Sequence, residues 1–195
     1  MFRTMPHISS GTLRTFICIK LPEEHTAALA KWLSAVRRTT VGVRWVLPGT
    51  IHITLKFCGE ITRTTVDKIS GMLSQENLGG KIKISAGGVG GFPNLNNPRV
   101  IWTSVDGEVD KLEILRQKIE KCTSMCGVPS EYKKFSPHIT LGRNNSDRPL
   151  SPETLRQIKI TGISLPEWEA EEIIFMKSVL GRGGPTYTPL KKFVL

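Results

Sequence analysis

His52-Ile-Thr-Leu55 and His138-Ile-Thr-Leu141 are one tetrapeptide used twice, in a chain that has only 4 histidines. Two matched imidazoles are the ingredients of acid–base catalysis. An unperturbed histidine titrates near pH 6.5, so at neutral pH one ring can take a proton while the other gives one. Positioned groups of this kind supply roughly 10²–10⁴-fold in rate each. The hydroxyls of Thr54 and Thr140, two residues past each histidine, can hold non-bridging phosphate oxygens and steady developing charge. The chemistry that fits is cleavage of a phosphodiester, with His52 and His138 as acid and base and with no metal or other cofactor required. A lone histidine on a strand's polar face is usually a solvated surface residue. Repetition of the whole tetrapeptide turns the reading toward chemistry.

Strands must present these groups. Side chains alternate between the two faces of a strand, which predicts Ile53, Leu55 and Phe57 on one face and His52, Thr54 and Lys56 on the other. In the second copy Phe135, Pro137, Ile139 and Leu141 share a face, opposite Ser136, His138 and Thr140. If the two strands meet about a pseudo-twofold axis, two histidines and two threonines converge on one cleft.

Around them the pattern alternates strands and helices. Strands are expected over 13–21, 43–47, 52–57, 81–86, 100–105, 137–142, 160–165, 170–180 and 186–195. Helices are expected over 23–38, 63–74 with Thr62 as N-cap, 108–125 and 152–158. The stretch 87–98, rich in Gly, Asn and Pro, reads as a loop. The expected fold is α+β: two similar, intimately packed lobes, each with one motif strand. Residues 1–12 form an N-terminal tail and 13–195 a single bilobal catalytic domain.

The formal net charge of +10 favours a polyanionic partner such as a nucleic acid or nucleotide. No apolar run reaches membrane-spanning length and the first residues lack a secretory pattern, so a cytoplasmic location, without a membrane partner, is the expectation. The four cysteines are then free thiols. Cys122 and Cys126, with His138, are the one zinc alternative. His7 and His25, outside the repeated context, read as surface residues.

The blocks Arg14-Thr-Phe-Ile-Cys-Ile-Lys-Leu-Pro22, Arg44-Trp-Val46, His52-Ile-Thr-Leu-Lys-Phe-Cys-Gly-Glu60, Gly91-Phe-Pro93, Pro98-Arg-Val-Ile-Trp102, Phe135-Ser-Pro-His-Ile-Thr-Leu-Gly-Arg143, Ser178-Val-Leu180 and Gly184-Pro-Thr-Tyr187 extend the pattern over nearly the whole chain. Together they resemble the two-histidine (2H) phosphoesterase superfamily. Within it they are similar to the bacterial and archaeal RNA 2′,3′-cyclic phosphodiesterases of the LigT/ThpR (2′-5′ RNA ligase) type. The resemblance implies metal-independent hydrolysis of RNA 2′,3′-cyclic phosphate termini to 2′-phosphomonoesters, with reversible 2′-5′ ligation as a further activity. It implies a bilobal pseudo-twofold fold, two mainly antiparallel sheets lining a central cleft with helices on the outside, and RNA ends or nucleotides, tRNA fragments among them, as partners; a monomer is the default expectation. His52 would be the acid toward the 3′-oxygen and His138 the base that activates water, although pseudo-symmetry leaves these roles interchangeable. Cys58 stands where the family more often has an aliphatic residue, which implies only a packing change.

Beyond the motifs, Arg143 can reach the same anion with a planar fork, its alternative being a surface ion pair. Trp45, Phe92 and Tyr132 are candidates for stacking on a base, with Lys133 beside Tyr132 as a phosphate contact. Core packing is the alternative for Trp45 and Phe92, and a solvated turn for Tyr132 and Lys133. Two other readings remain open: an RNA- or nucleotide-binding module with little turnover, and another 2H branch acting on a different cyclic phosphodiester.

Overall fold

The computed structural model describes residues 11–146 and 148–195. The chain runs β1 (Thr12–Lys20), α1 (Glu23–Thr39), β2 (Val43–Trp45), a 3-10 turn (Pro48–Thr50), β3 (His52–Thr62), α2 (Arg63–Gln75), β4 (Ile82–Phe92), β5 (Val100–Gly107), α3 (Val109–Met125), β6 (His138–Asn144), α4 (Pro152–Ile160), β7 (Ser164–Ala170), β8 (Glu172–Gly181) and β9 (Gly184–Val194). Residues 1–10, with His7 and most of the expected tail, lie outside the described residues.

The α+β class is as expected, and the two sheets are wings of one curled antiparallel sheet. Its order is β7-β4-β5-β6-β3-β1-β8-β9, with β2 added on β6. The wings meet at β3 and β6, where Ile53 and Ile139 are the register pair. The lobes are not successive halves of the chain, as the alternating pattern suggested. β1 and β3 are completed by β8 and β9 from the far end, and β4 to β7 form the other wing. Pairing between chain ends is non-local, and no local pattern encodes it.

Local chemistry accounts for the helices. Glu23 and Glu24 open α1 and Arg37 and Arg38 close it, both complementing the helix dipole. Thr62 caps α2 by accepting from the Thr65 N–H at 3.2 Å, and Ser151 caps α4 through the Thr154 N–H at 3.1 Å. α1 buries Leu29, Leu33 and Val36, and α3 buries Leu112, Leu115 and Ile119, all in one core with Ile17, Ile53, Leu55, Ile139 and Leu141. The opposite sheet face carries a second, small cluster of Phe16, Cys18, Ile174 and Met176, edged by Tyr187. The helices thus cover one face, and the motif residues look out from the other.

Two segments and one side chain depart from the sequence reading. β4 continues to Phe92 through the expected loop, because Gly88 at φ +65 allows a bulge between Gly87 and Gly90. The strand expected over 160–165 is displaced: Ile160 ends α4, and β7 starts only at Ser164 and runs to Ala170. His25 is not a surface residue. It is 2% exposed, with Nε2 3.1 Å from the Pro166 carbonyl and its ring against Trp168.

Candidate active site

The antiparallel order around Ile53 and Ile139 builds the site. Next to that pair, Thr54 stands across from His138 and His52 across from Thr140, all four on the face opposite the core. Each histidine is therefore the cross-strand neighbour of the other motif's threonine. The two histidines lie on the diagonal of the pair, where neighbours in an antiparallel sheet are about 7–8 Å apart. Among the described residues, neither threonine hydroxyl has a side-chain hydrogen-bond partner that would compete with a ligand.

Both rings are held alike. His52 Nδ1 is 2.7 Å from the Thr50 carbonyl, which the 3-10 turn presents, and His138 Nδ1 is 2.7 Å from the Ser136 carbonyl. A carbonyl only accepts, so Nδ1 carries the proton in both rings and Nε2 is left to work. Aromatic rings wall each imidazole. Phe16 and Tyr187 lie 4.8 and 5.4 Å from His52, and Phe92 and Trp102 lie 5.0 and 6.1 Å from His138, centroid to centroid. Trp102 can take its place because it lies over Gly90, where a β-carbon would sit 2.2 Å from the indole.

The electrostatics are less symmetric. Burial pushes the proton affinity of His52 below its ordinary value. The Thr50 carbonyl partly restores it, and the charges of His138 and Lys20 lower it further. The influence of His138 on His52 is a second sign that the rings share one groove. Burial also raises the Tyr187 phenol, and the nearby Arg143 and Arg14 guanidiniums pull it back.

β-Bulges correct the simple alternation. In β3 the register advances from Thr54 opposite Cys18 to Lys56 opposite Ile17, so Leu55 is the extra residue. Leu55 and Lys56 both turn into the core, at 2% and 1% exposure, and Phe57 comes out 55% exposed beside Phe16. The expected faces of Lys56 and Phe57 are thus exchanged, since one inserted residue flips every later side chain of the strand. β6 has its bulge at the matching place, between the Thr140–Trp102 and Gly142–Ile101 pairs. That bulge returns Arg143 to the face of His138 and Thr140.

The remaining candidates separate. Phe92 packs edge-on against His138, at the site. Trp45 does not belong to it. It is 7% exposed on the core face, its Nε1 donating to Thr40 Oγ1 at 3.1 Å and its ring edge-to-face with Trp32. Tyr132 is 95% exposed and Lys133 is exposed, both on the loop that leads into β6. The zinc alternative is not assembled: Cys126 Sγ lies 3.5 Å from Met72 Sδ between α2 and α3, and Cys122 is buried in the core. Among the described residues no three His, Cys, Asp or Glu side chains gather as a metal site.

Sequence reasoning missed Phe16, Trp102 and Tyr187 as walls of the groove, and Arg14, Lys20 and Arg44 as cations on its face. Their signal was parity. Arg14, Phe16, Cys18 and Lys20 alternate along β1, and Arg44 is paired with Arg143 across β2 and β6, so they share a face. Among the described residues none of these four cations, Arg14, Lys20, Arg44 and Arg143, is in an ion pair.

A groove with paired imidazoles, free hydroxyls and unpaired cations has the equipment of a phosphoesterase. Residues 19–102 match the family described as LigT like Phosphoesterase. The chain is 33% identical over 157 residues to the RNA 2′,3′-cyclic phosphodiesterase of Aquifex aeolicus, covering 78% of this chain and 81% of the relative. It is 32% identical over 184 residues to the enzyme of that name from Archaeoglobus fulgidus, covering 93% and 99%. The crystal structure of TT0787 from Thermus thermophilus superposes with a TM-score of 0.77 at 29% identity, over 94% of this chain and 98% of that one. The chain belongs to the LigT-like phosphoesterase family.

Proposed function

We propose that this protein hydrolyses 2′,3′-cyclic phosphate ends of RNA to 2′-phosphomonoesters through His52 and His138. The arrangement that carries the reading is the pair of imidazoles whose Nδ1–H groups are tied to backbone carbonyls, each leaving Nε2 free on the sheet face that carries both threonines. The cyclic phosphate sits between the rings, its non-bridging oxygens on Thr54 and Thr140, with Arg143 adding charge. Neutral His138 takes a proton from water at Nε2 as the water oxygen bonds to phosphorus. The P–O3′ bond breaks, and His52, protonated at Nε2, gives its proton to O3′. The products are a 2′-phosphate and a 3′-hydroxyl. Replacing water by the 5′-hydroxyl of a second RNA turns the same step into 2′-5′ ligation.

The opposite assignment, His52 as base and His138 as acid, has one observation in its favour. Burial lowers the proton affinity of His52, which favours the neutral ring that a base requires. The four unpaired cations on the groove face suit an RNA backbone. Phe92 and the exposed Phe57 offer rings to a base. We place the enzyme in the cytoplasm as a monomer acting on RNA fragments, such as those of tRNA. No helix among the described residues is long and apolar enough to cross a membrane.

The test is an oligonucleotide ending in 2′,3′-cyclic phosphate, incubated with the protein in EDTA. The expected product is the 2′-phosphate. A 3′-phosphate would overturn the assignment of O3′ as leaving group, and loss of turnover on chelation would overturn the metal-independent mechanism.

A further inference from the structure

We propose that Lys56, which the mechanism above does not use, is a positioning residue that ties the first motif strand to the segment carrying the second histidine. Lys56 lies two residues beyond Thr54, and its ammonium is fully buried. The bulge at Leu55 sends it into the core rather than the groove. Burying an ammonium costs several kcal/mol unless it is paired and hydrogen-bonded, so its partners matter. Nζ is 2.9 Å from Glu120 Oε2 and 3.0 Å from Oε1 on α3, and it donates to the Pro129 carbonyl at 2.8 Å.

Those partners belong to the approach to His138. Glu120 Oε1 also accepts the Glu131 N–H at 3.1 Å. Arg116, 3.7 Å from Glu120, lies over the Phe135 ring at 5.3 Å. Val105 N–H reaches the Pro137 carbonyl at 3.3 Å, and the next carbonyl back, Ser136, holds His138 Nδ1. Residues 126–137 contain no helix or strand, so regular structure does not set their path. The Lys56–Glu120 pair grips them at Pro129 and Glu131, and Arg116 grips them at Phe135. β3 and β6 share the single register pair Ile53–Ile139. Lys56 is therefore a second link between the motifs, and it acts on the carbonyl that sets the angle of the His138 ring.

This inference rests on the two-histidine reading for its kinetic effect but not for its structural one. The informative variants are Lys56→Met and the double variant Lys56→Met/Glu120→Met. Removing one partner strands a buried charge, whereas replacing both with apolar groups of similar length is often neutral for stability. The double variant is thus expected to melt closer to the wild type than Lys56→Met does, with Arg116 keeping Glu113 as a partner. Its kcat on the cyclic-phosphate oligonucleotide should fall about 10–100-fold with KM nearly unchanged, as for a misplaced catalytic group. The imidazole C2–H resonance of His138, assigned with His138→Ala, should shift or broaden while that of His52 stays in place. A folded double variant with wild-type kcat and an unmoved His138 resonance would overturn the proposal. If the wild-type protein failed to turn over the oligonucleotide, the functional reading would fall, and the His138 resonance would still decide the role of Lys56.

Discussion

The His52 wing and the His138 wing start from one tetrapeptide and end with different surroundings. Both rings donate Nδ1–H to the carbonyl two residues earlier, and both strands bulge at the motif's leucine. Past the bulge the two strands diverge. In the first wing Lys56 dives into the core and Phe57 comes to the groove. In the second, Gly142 lies under Trp45 and Val43, where a β-carbon would meet both, and Arg143 comes to the groove. The position five past each histidine is therefore apolar in one wing and cationic in the other. The repeated residues set what the two halves do in common, and the residues five past each histidine set how they differ.

The largest expected effect tests the common part. His52→Ala and His138→Ala should each lower kcat by about 10²–10⁴-fold. Near-normal turnover in either variant would remove that ring from the mechanism and end the equivalence of the wings. Next, Thr54→Val and Thr140→Val should each cost about 10²-fold in kcat, as lost stabilisers of developing charge. A large effect at one threonine alone would show that the phosphate sits off the dyad.

Smaller effects test the difference. Arg143→Ala should raise KM about tenfold and flatten its salt dependence, from the loss of a charge-assisted contact. Phe57→Ala should leave the salt dependence unchanged, and equal salt behaviour in the two variants would contradict this difference between the two positions. Phe16→Leu should open the wall of His52 and raise its proton affinity toward the ordinary histidine value, as read from its C2–H titration. Phe92→Leu should not move that titration. The smallest effect concerns stability. Because the folded state lowers the proton affinity of His52, the unfolded chain binds more protons as pH falls through and below about 6.5, so stability drops there. His52→Gln should lose less melting temperature than the wild type between about pH 7.5 and 5.5. Equal losses would show that this ring is not a source of the dependence.

Much of this was legible in the chain. The helices over 23–38 and 63–74 needed only an apolar stripe and end signals, and Thr62 caps the second as expected. The two motif strands were legible because β-branched residues alternate around each histidine. The faces of Lys56 and Phe57 were not, since a bulge depends on the partner strand and leaves no mark in a period of two. Nor was the burial of His25, which is made by Pro166 and Trp168, more than a hundred residues away along the chain. Trp45 was a plausible stacking ring beside a motif block, and the β2–β6 pairing turned it inward.

The sequence by itself determined the reactive groups: two histidines with their threonines, the excess of positive charge and the helix ends, each a matter of residue type and near-neighbour spacing. Only the tertiary structure decided which threonine stands across from which histidine, which cations reach the groove and that His52 holds its proton less tightly than an ordinary imidazole. Those depend on strand register and on the withdrawal of water, and both come from contacts between residues far apart in the chain.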